Sequence, residues 1–235
     1  NQSMVQSDQV IKNDNSLNPK QPPQTDSTRS VKSEKVQSKL KSIDTLESNK
    51  LIIKYDTNSG ELLYSELKDY AVDLGSDEKI IILDYKKKKY SAASNIQFLN
   101  TDIYPVYNKK NGSQINTVVL ESTNIVGVTL IKEITLLDDT HQVAIRNTIK
   151  NNSTKSIDAR NYETISRDNN NTASIMLPTY TGSAYYDEEN KFSKLSFEDI
   201  LDNNQTVKTQ SSWISMIEHY FFSAWLPTSS NKKTI

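Results

Sequence analysis

The sequence predicts an all-β domain with one or two short helices and antiparallel strands. Three observations carry that expectation. Runs of alternating apolar and polar residues recur from Leu51 onward, the period-2 pattern of half-buried strands. The runs are separated by short clusters of Asp, Asn and Ser, whose side chains bond their own backbone in turns. No strand–helix–strand alternation accompanies them, so consecutive strands pair as an antiparallel meander in one or two packed sheets rather than through parallel crossovers.

Taken in order, Asn1 to about Asn49 is rich in Asn, Gln, Ser, Lys and Asp, with Pro19, Pro22 and Pro23 and few large apolar residues. Such a stretch cannot bury enough surface to offset the entropy of ordering it, so a disordered tether is expected, with a faint helix over Val31–Leu40 and the compact domain beginning near Leu51. Leu51–Asp56, a turn at Asn58-Ser59-Gly60 and Glu61–Leu67 read as a hairpin. Lys79–Tyr85 is a further strand. The run Lys86–Lys89 after it, with Asp77, Glu78 and Asp84 close in sequence, reads as a solvated loop. Ser91–Lys110 is expected to be irregular, with Pro105 inside it and a turn at Asn111-Gly112. The runs at 115–123, 124–137, 141–150 and 156–168 are the most regular strands. An acidic loop, Asp187-Glu188-Glu189, and a short helix follow, the helix capped by Ser196 and carrying Phe197, Ile200 and Leu201.

The densest apolar stretch is Ser211–Pro227. Trp213, Ile214, Met216 and Ile217 recur at near-helical spacing after two serines able to cap a first turn, which predicts a short helix. From Tyr220 the pattern turns to alternation, predicting a strand with Tyr220, Phe222, Ala224 and Leu226 on one side, ended by Pro227. The whole stretch is expected to be core, with Trp213 and Trp225 shielded. Ser215, Glu218, His219 and Ser223 interrupt it too often for a bilayer span, which needs about 20 largely apolar residues.

Composition narrows the function. The 235 residues carry 28 Lys+Arg against 29 Asp+Glu, so no broad field favours nucleic acid or an anionic membrane. There is no cysteine, which removes disulfides, thiolate metal sites and a cysteine nucleophile. The opening residues carry no apolar run, so no secretory leader is expected in them. The two histidines, His141 and His219, lack partners at ligand spacing, so no metal is expected, and no cofactor. The motifs GxGxxG, GxSxG and HExxH and the P-loop are missing. Aromatic side chains such as Tyr180, Tyr185, Tyr186, Trp213, Tyr220 and Trp225 are expected mainly to pack, with sugar or peptide stacking as the alternative. Loops carry recognition on a sheet scaffold, so a protein contact is expected on the acidic and aromatic stretch 185–204, through Tyr185, Tyr186, Phe192 and Phe197.

The pattern W-x-x-M-x-x-x-Y-F-x-x-A-W-L-P over Trp213–Pro227, preceded by GSAYYDEENKFSKLSFEDILDNN over Gly182–Asn204, resembles the large periplasmic domain of the YidC membrane protein insertases, and a looser likeness reaches back to LIIKYDTNSGELLYSELKDY at Leu51. Where that family tends to have paired glycines, this chain has Ser211-Ser212 and Ser59-Gly60. The resemblance implies a β-supersandwich similar to galactose mutarotase-like folds over 50–235, lacking its last strands, and a linker over 1–49 that follows a transmembrane helix. It implies a location on the periplasmic side of the bacterial inner membrane and a non-catalytic part in inserting and folding inner-membrane proteins. The implied partners are the Sec translocon, the SecDF accessory proteins and, through a membrane portion outside these residues, nascent inner-membrane proteins. The competing expectation is a mutarotase-like carbohydrate-binding module or sugar epimerase, which requires a histidine and a carboxylate together in a cleft.

Overall fold

The computed structural model describes residues 42–99, 101–112, 114–169, 180–202, 208–209, 212–226 and 233–234. The fold is all-β and antiparallel, as the alternation predicts, with two short helices among the described residues. The first sheet contains β1 (Ile43–Glu47), β2 (Leu51–Asp56), β3 (Leu62–Ala71), β4 (Lys79–Asp84), β5 (Ser91–Phe98) and β10 (Ala159–Ser166). Its order is β1-β2-β3-β5-β10, and β4 also pairs with β3. The second sheet, β6-β7-β8-β9, is built from Asn108–Lys109, Thr117–Ser122, Val128–Leu136 and Val143–Asn151. The third, β12-β11-β14-β15, takes Lys191–Leu195, Gly182–Asp187, Trp213–Glu218 and Phe221–Trp225. A small ribbon pairs β13 (Lys208–Thr209) with β16 (Lys233–Thr234). Among the described residues no helix is long and apolar enough to cross a membrane.

The core forms where the inner faces of the first two sheets meet. On β8 every second residue from Val128 to Leu136 is buried, and Leu130, Ile134 and Leu136 share one cluster with Ile53 and Tyr55 of β2 and Ile96 and Phe98 of β5. That alternation is the physical basis of the register, because a one-residue slip of β8 would turn its entire buried set to water. The third sheet joins the same cluster through Met216, with Phe221 and Trp225 packed against it. Side-chain bonds link it to the first sheet and its flanks: the Trp225 indole N–H donates to the Thr164 carbonyl at 2.9 Å, and the hydroxyls of Ser223 and of Tyr90, just before β5, are 2.7 Å apart.

Several local expectations are corrected. Order begins before Leu51: β1 occupies Ile43–Glu47 and pairs along β2, although its sequence, IDTLE, carries only two large apolar residues. The expected tether before Ser42, including Val31–Leu40, lies outside the described residues, as does most of the chain after Leu226. Ser91–Phe98 is a strand and not irregular; its Ala and Ser residues have weak strand preference, but pairing along β10 decides the conformation. Lys86–Lys89 is likewise not an open loop. Tyr85–Lys88 forms a one-turn helix, α1, whose capping residue Asp84 accepts from the Lys87 amide at 3.0 Å, and Lys89 closes it in the left-handed region. The four regular strands do not form one meander, since β10 leaves β9 and crosses to β5.

The stretch from Trp213 is corrected most. It is not a helix: β14 is flanked by β11 on one side and β15 on the other. Spacings of three and four residues in a short apolar run do not separate helix from strand, and here two pairing partners settle it. Nor is the stretch mostly buried. Met216 and Ser215 are, whereas Trp213 and Trp225 are half-buried and Tyr220, Phe222 and Leu226 are exposed. The short helix after Ser196 forms as read, α2 (Phe197–Asp202), with a reciprocal cap: the Asp199 amide donates to Ser196 Oγ at 3.1 Å and the Ser196 amide to Asp199 Oδ2 at 2.9 Å.

Candidate functional site: an apolar groove on the third sheet

The turn His219-Tyr220 reverses the chain between β14 and β15, with Tyr220 at φ 73°. Antiparallel pairing then sorts the side chains of the hairpin into two faces. Ile214, Met216 and Glu218 oppose Trp225, Ser223 and Phe221 on the face toward the core. Ser215 and Ile217 oppose Ala224 and Phe222 on the other face. This outer face is apolar as well, and it lines a groove of about 720 Å³ together with Trp213, Phe192 and Tyr180. Leu226, Phe222 and Phe192 are each at least half exposed, so the groove is an apolar surface in contact with water.

The floor is held by close backbone approach. The Tyr180 hydroxyl donates to the Leu195 carbonyl at 2.8 Å, and its ring lies across Gly182, where an added Cβ would sit 2.6 Å from the hydroxyl oxygen. Burial pushes this phenol's pKa up, so the hydroxyl stays a donor. At one end Tyr186 stacks on Trp213, with ring centroids 6.2 Å apart, and Phe192 tilts against the same indole at 5.9 Å. Both pairs lie within the range in which aromatic side chains fix each other's orientation.

Polar groups border the groove at the hairpin turn. Glu218 is gripped from the core side: Lys88 Nζ lies 2.5 Å from Oε1 and Arg167 Nη1 3.2 Å from Oε2, with the Arg167 side chain almost fully buried. The Arg167 guanidinium also lies over the Tyr90 ring, 5.4 Å from its centroid. Burial pushes the Tyr90 phenol up to about 12, so it bonds Ser223 as a neutral hydroxyl. The basic run is thus partly used to neutralise a carboxylate at the junction of two sheets.

The four residues expected at a protein contact are divided by the structure. Phe192 and Tyr186 stand together around Trp213 at the groove. Tyr185, adjacent to Tyr186 on β11, points to the other face and is buried, and Phe197 is half-buried against the core. The acidic loop is also partly internal: Asp187 accepts from the Asn190 amide at 2.6 Å and the Glu189 amide at 2.8 Å, which lowers its pKa and makes it a turn-forming residue. Residues not singled out from sequence, Ile217, Phe222 and Leu226, complete the surface. Their signal was present in the alternation after Tyr220, which placed Phe222, Ala224 and Leu226 on one side without indicating that this side faces water.

The arrangement required for sugar anomerisation does not form among the described residues. His141 Nε2 stands 3.9 Å from Asp69 Oδ2, beyond hydrogen-bond reach, on the β8–β9 connection. His219 rests on the Tyr220 ring, and the neighbouring Glu218 is taken by Lys88 and Arg167. No group of three or more His, Asp or Glu side chains is placed to hold a metal ion among the described residues.

Comparison with known proteins agrees with the motif reading. Residues 44–235 match the YidC periplasmic domain family. The chain is 27% identical over 211 residues to the membrane protein insertase YidC of Shewanella frigidimarina, covering 83% of this chain and 39% of that protein. It is 29% identical over 197 residues to the protein of the same name from Actinobacillus succinogenes, covering 78% and 36%. For that of Mannheimia succiniciproducens the values are 26% over 224 residues, 90% and 41%. The chain therefore spans about two fifths of the length of these curated relatives. The match begins at the second residue of β1 and runs through all three sheets, and on that extent the chain belongs to the YidC periplasmic domain family.

Proposed function

We propose that this domain is the periplasmic, non-catalytic part of an inner-membrane protein insertase, and that it assists insertion and folding by holding a protein partner in the groove of the third sheet. The observation that carries the reading is the juxtaposition of an exposed apolar groove with β15, which ends its sheet among the described residues. An extended apolar segment can extend the sheet through main-chain hydrogen bonds while its alternate side chains enter the groove, a common mode of peptide recognition. Near-neutral net charge supports a local contact over long-range electrostatic capture. The partners that the family resemblance suggests are the Sec translocon and SecDF, with nascent inner-membrane proteins handled by the membrane portion of the longer relatives.

Photo-crosslinking in native membranes tests this. A photoreactive residue at Phe222 or Phe192 is expected to give adducts with a Sec component, and the same residue at exposed Leu74 is not. Phe192→Ala with Phe222→Ser is expected to abolish the adducts while leaving the fold unchanged. Equal labelling at all three positions, or adducts that survive the double substitution, contradicts the reading. Polarimetry with common hexoses tests the catalytic alternative, and mutarotation lost in His219→Ala would establish it.

A further inference from the structure

Lys132 is the one lysine among the described residues that is completely buried. It sits midway along β8, opposite Leu120 of β7 and Asn147 of β9, and alternates with the core residues Leu130 and Ile134. Its ammonium reaches out of the second sheet into the first. Nζ donates to the Ser59 carbonyl at 2.6 Å, in the β2–β3 turn, and to Asn95 Oδ1 of β5 at 3.0 Å. It also lies 4.9 Å from the centroid of the Tyr107 ring. The turn is shaped around this side chain. Gly60 has φ +72°, and a Cβ there would come within 2.5 Å of Lys132 Cδ. The same turn is closed by bonds from the Gly60 amide to the Asp56 carbonyl at 2.7 Å and from the Tyr107 amide to the Asn58 carbonyl at 2.8 Å.

We propose that Lys132 is a proton-operated latch between the two sheets, whose protonation favours release of the Asn58–Gly60 turn and whose neutral amine keeps the turn seated. A buried ammonium gives up its hydration, and two acceptors and a ring face replace it only in part. The facing groups are few. Glu61, at the end of the same turn, is the carboxylate whose field favours the charged form; Tyr107 is a neutral phenol, pushed up to about 12 by burial; Asn95, Asn147 and Leu120 carry no charge. Burial outweighs Glu61 and brings the Lys132 amine down from 10.5 to about 7. Any opening that hydrates Nζ restores the higher value, so the open state binds more protons than the closed one between these limits. The opening equilibrium therefore falls as pH rises through this window and levels off below it.

Hydrogen exchange of the full chain, corrected for the chemical exchange rate, reads this directly at the Gly60 and Tyr107 amides. Their opening constant is expected to be flat below about pH 6.5 and to fall about tenfold per pH unit above about pH 7.5. The Val72 amide, bonded to the Glu78 carbonyl just past the end of β3, is the control and should show no such slope. Lys132→Met keeps the apolar stem and removes the titrating group, and it should abolish the slope at both reporters. Opening that is independent of pH in the unaltered chain, or a slope retained in the Met variant, overturns the proposal. If the Met variant does not fold, the Lys132 Cε chemical shift decides: a midpoint near 7 supports the latch and one near 10.5 refutes it.

Discussion

Replacing Trp225 with alanine tests whether the third sheet has two unlike faces, because residues three apart on one short strand should then respond in opposite ways. Trp225 is half-buried against the core cluster and its indole donates to Thr164 at 2.9 Å. A fully buried Trp→Ala change costs about 3–5 kcal/mol. With between about a tenth and a third of the residue still in water, the apolar part falls to about 2–4 kcal/mol. Loss of the hydrogen bond adds about 1 kcal/mol. Trp225→Ala should thus destabilise by about 3–5 kcal/mol. Trp225→Phe keeps most of the packing and should cost about 1–1.5 kcal/mol. Phe222, on the outer face and 67% exposed, should cost less than about 0.5 kcal/mol when changed to Ala. Urea unfolding of the three variants gives these differences from midpoints at constant slope. A Phe222→Ala cost equal to that of Trp225→Ala would mean that the outer face is as enclosed as the inner one, and the groove would not be a surface.

Two further outcomes follow from particular contacts. Gly60→Ala forces a Cβ against Lys132 Cδ at a left-handed φ, and the strained backbone with overpacking should cost about 2–4 kcal/mol by urea unfolding; a cost below about 0.5 kcal/mol would show that the turn is not built around Lys132. The Asp44 carboxyl is held below its ordinary value of 3.8, chiefly by the hydrogen bond from Lys109. Its contribution to stability is present above the unfolded value and lost as pH falls through the lower folded one, so Asp44→Asn should flatten the acid limb of the stability–pH curve below about pH 4.

Most of the fold is legible in the sequence because one face of most strands is buried and the other is wet. β7, β8 and β9 follow their alternating runs to within a few residues. The failures share a cause: local pattern says little where the decisive energy comes from pairing. β5, with its Ala and Ser residues, and β1, with Ile43 and Leu46 as its large apolar residues, become strands because partners supply the hydrogen bonds and the enclosing surface. Trp213–Ile217 misled in the opposite sense, since its spacing satisfied a helical template while β11 and β15 stood ready on both sides.

The site was harder to see, for a reason that follows from the same hairpin. A strand that is apolar on both faces ordinarily belongs to the interior, which made burial the natural expectation for Ser211–Pro227. Here the inner face, Met216, Phe221 and Trp225, spends its apolar surface on the core, while Phe222 and Leu226 present theirs to water. Folding alone gives no return for the second set; mutating Phe222 should barely change stability, whereas Trp225 three residues on should change it several-fold more. The proposed partner contact uses an apolar face that stability does not require, with Phe192 and Tyr186 beside it, whereas Tyr185 and Phe197 are packed on the core side.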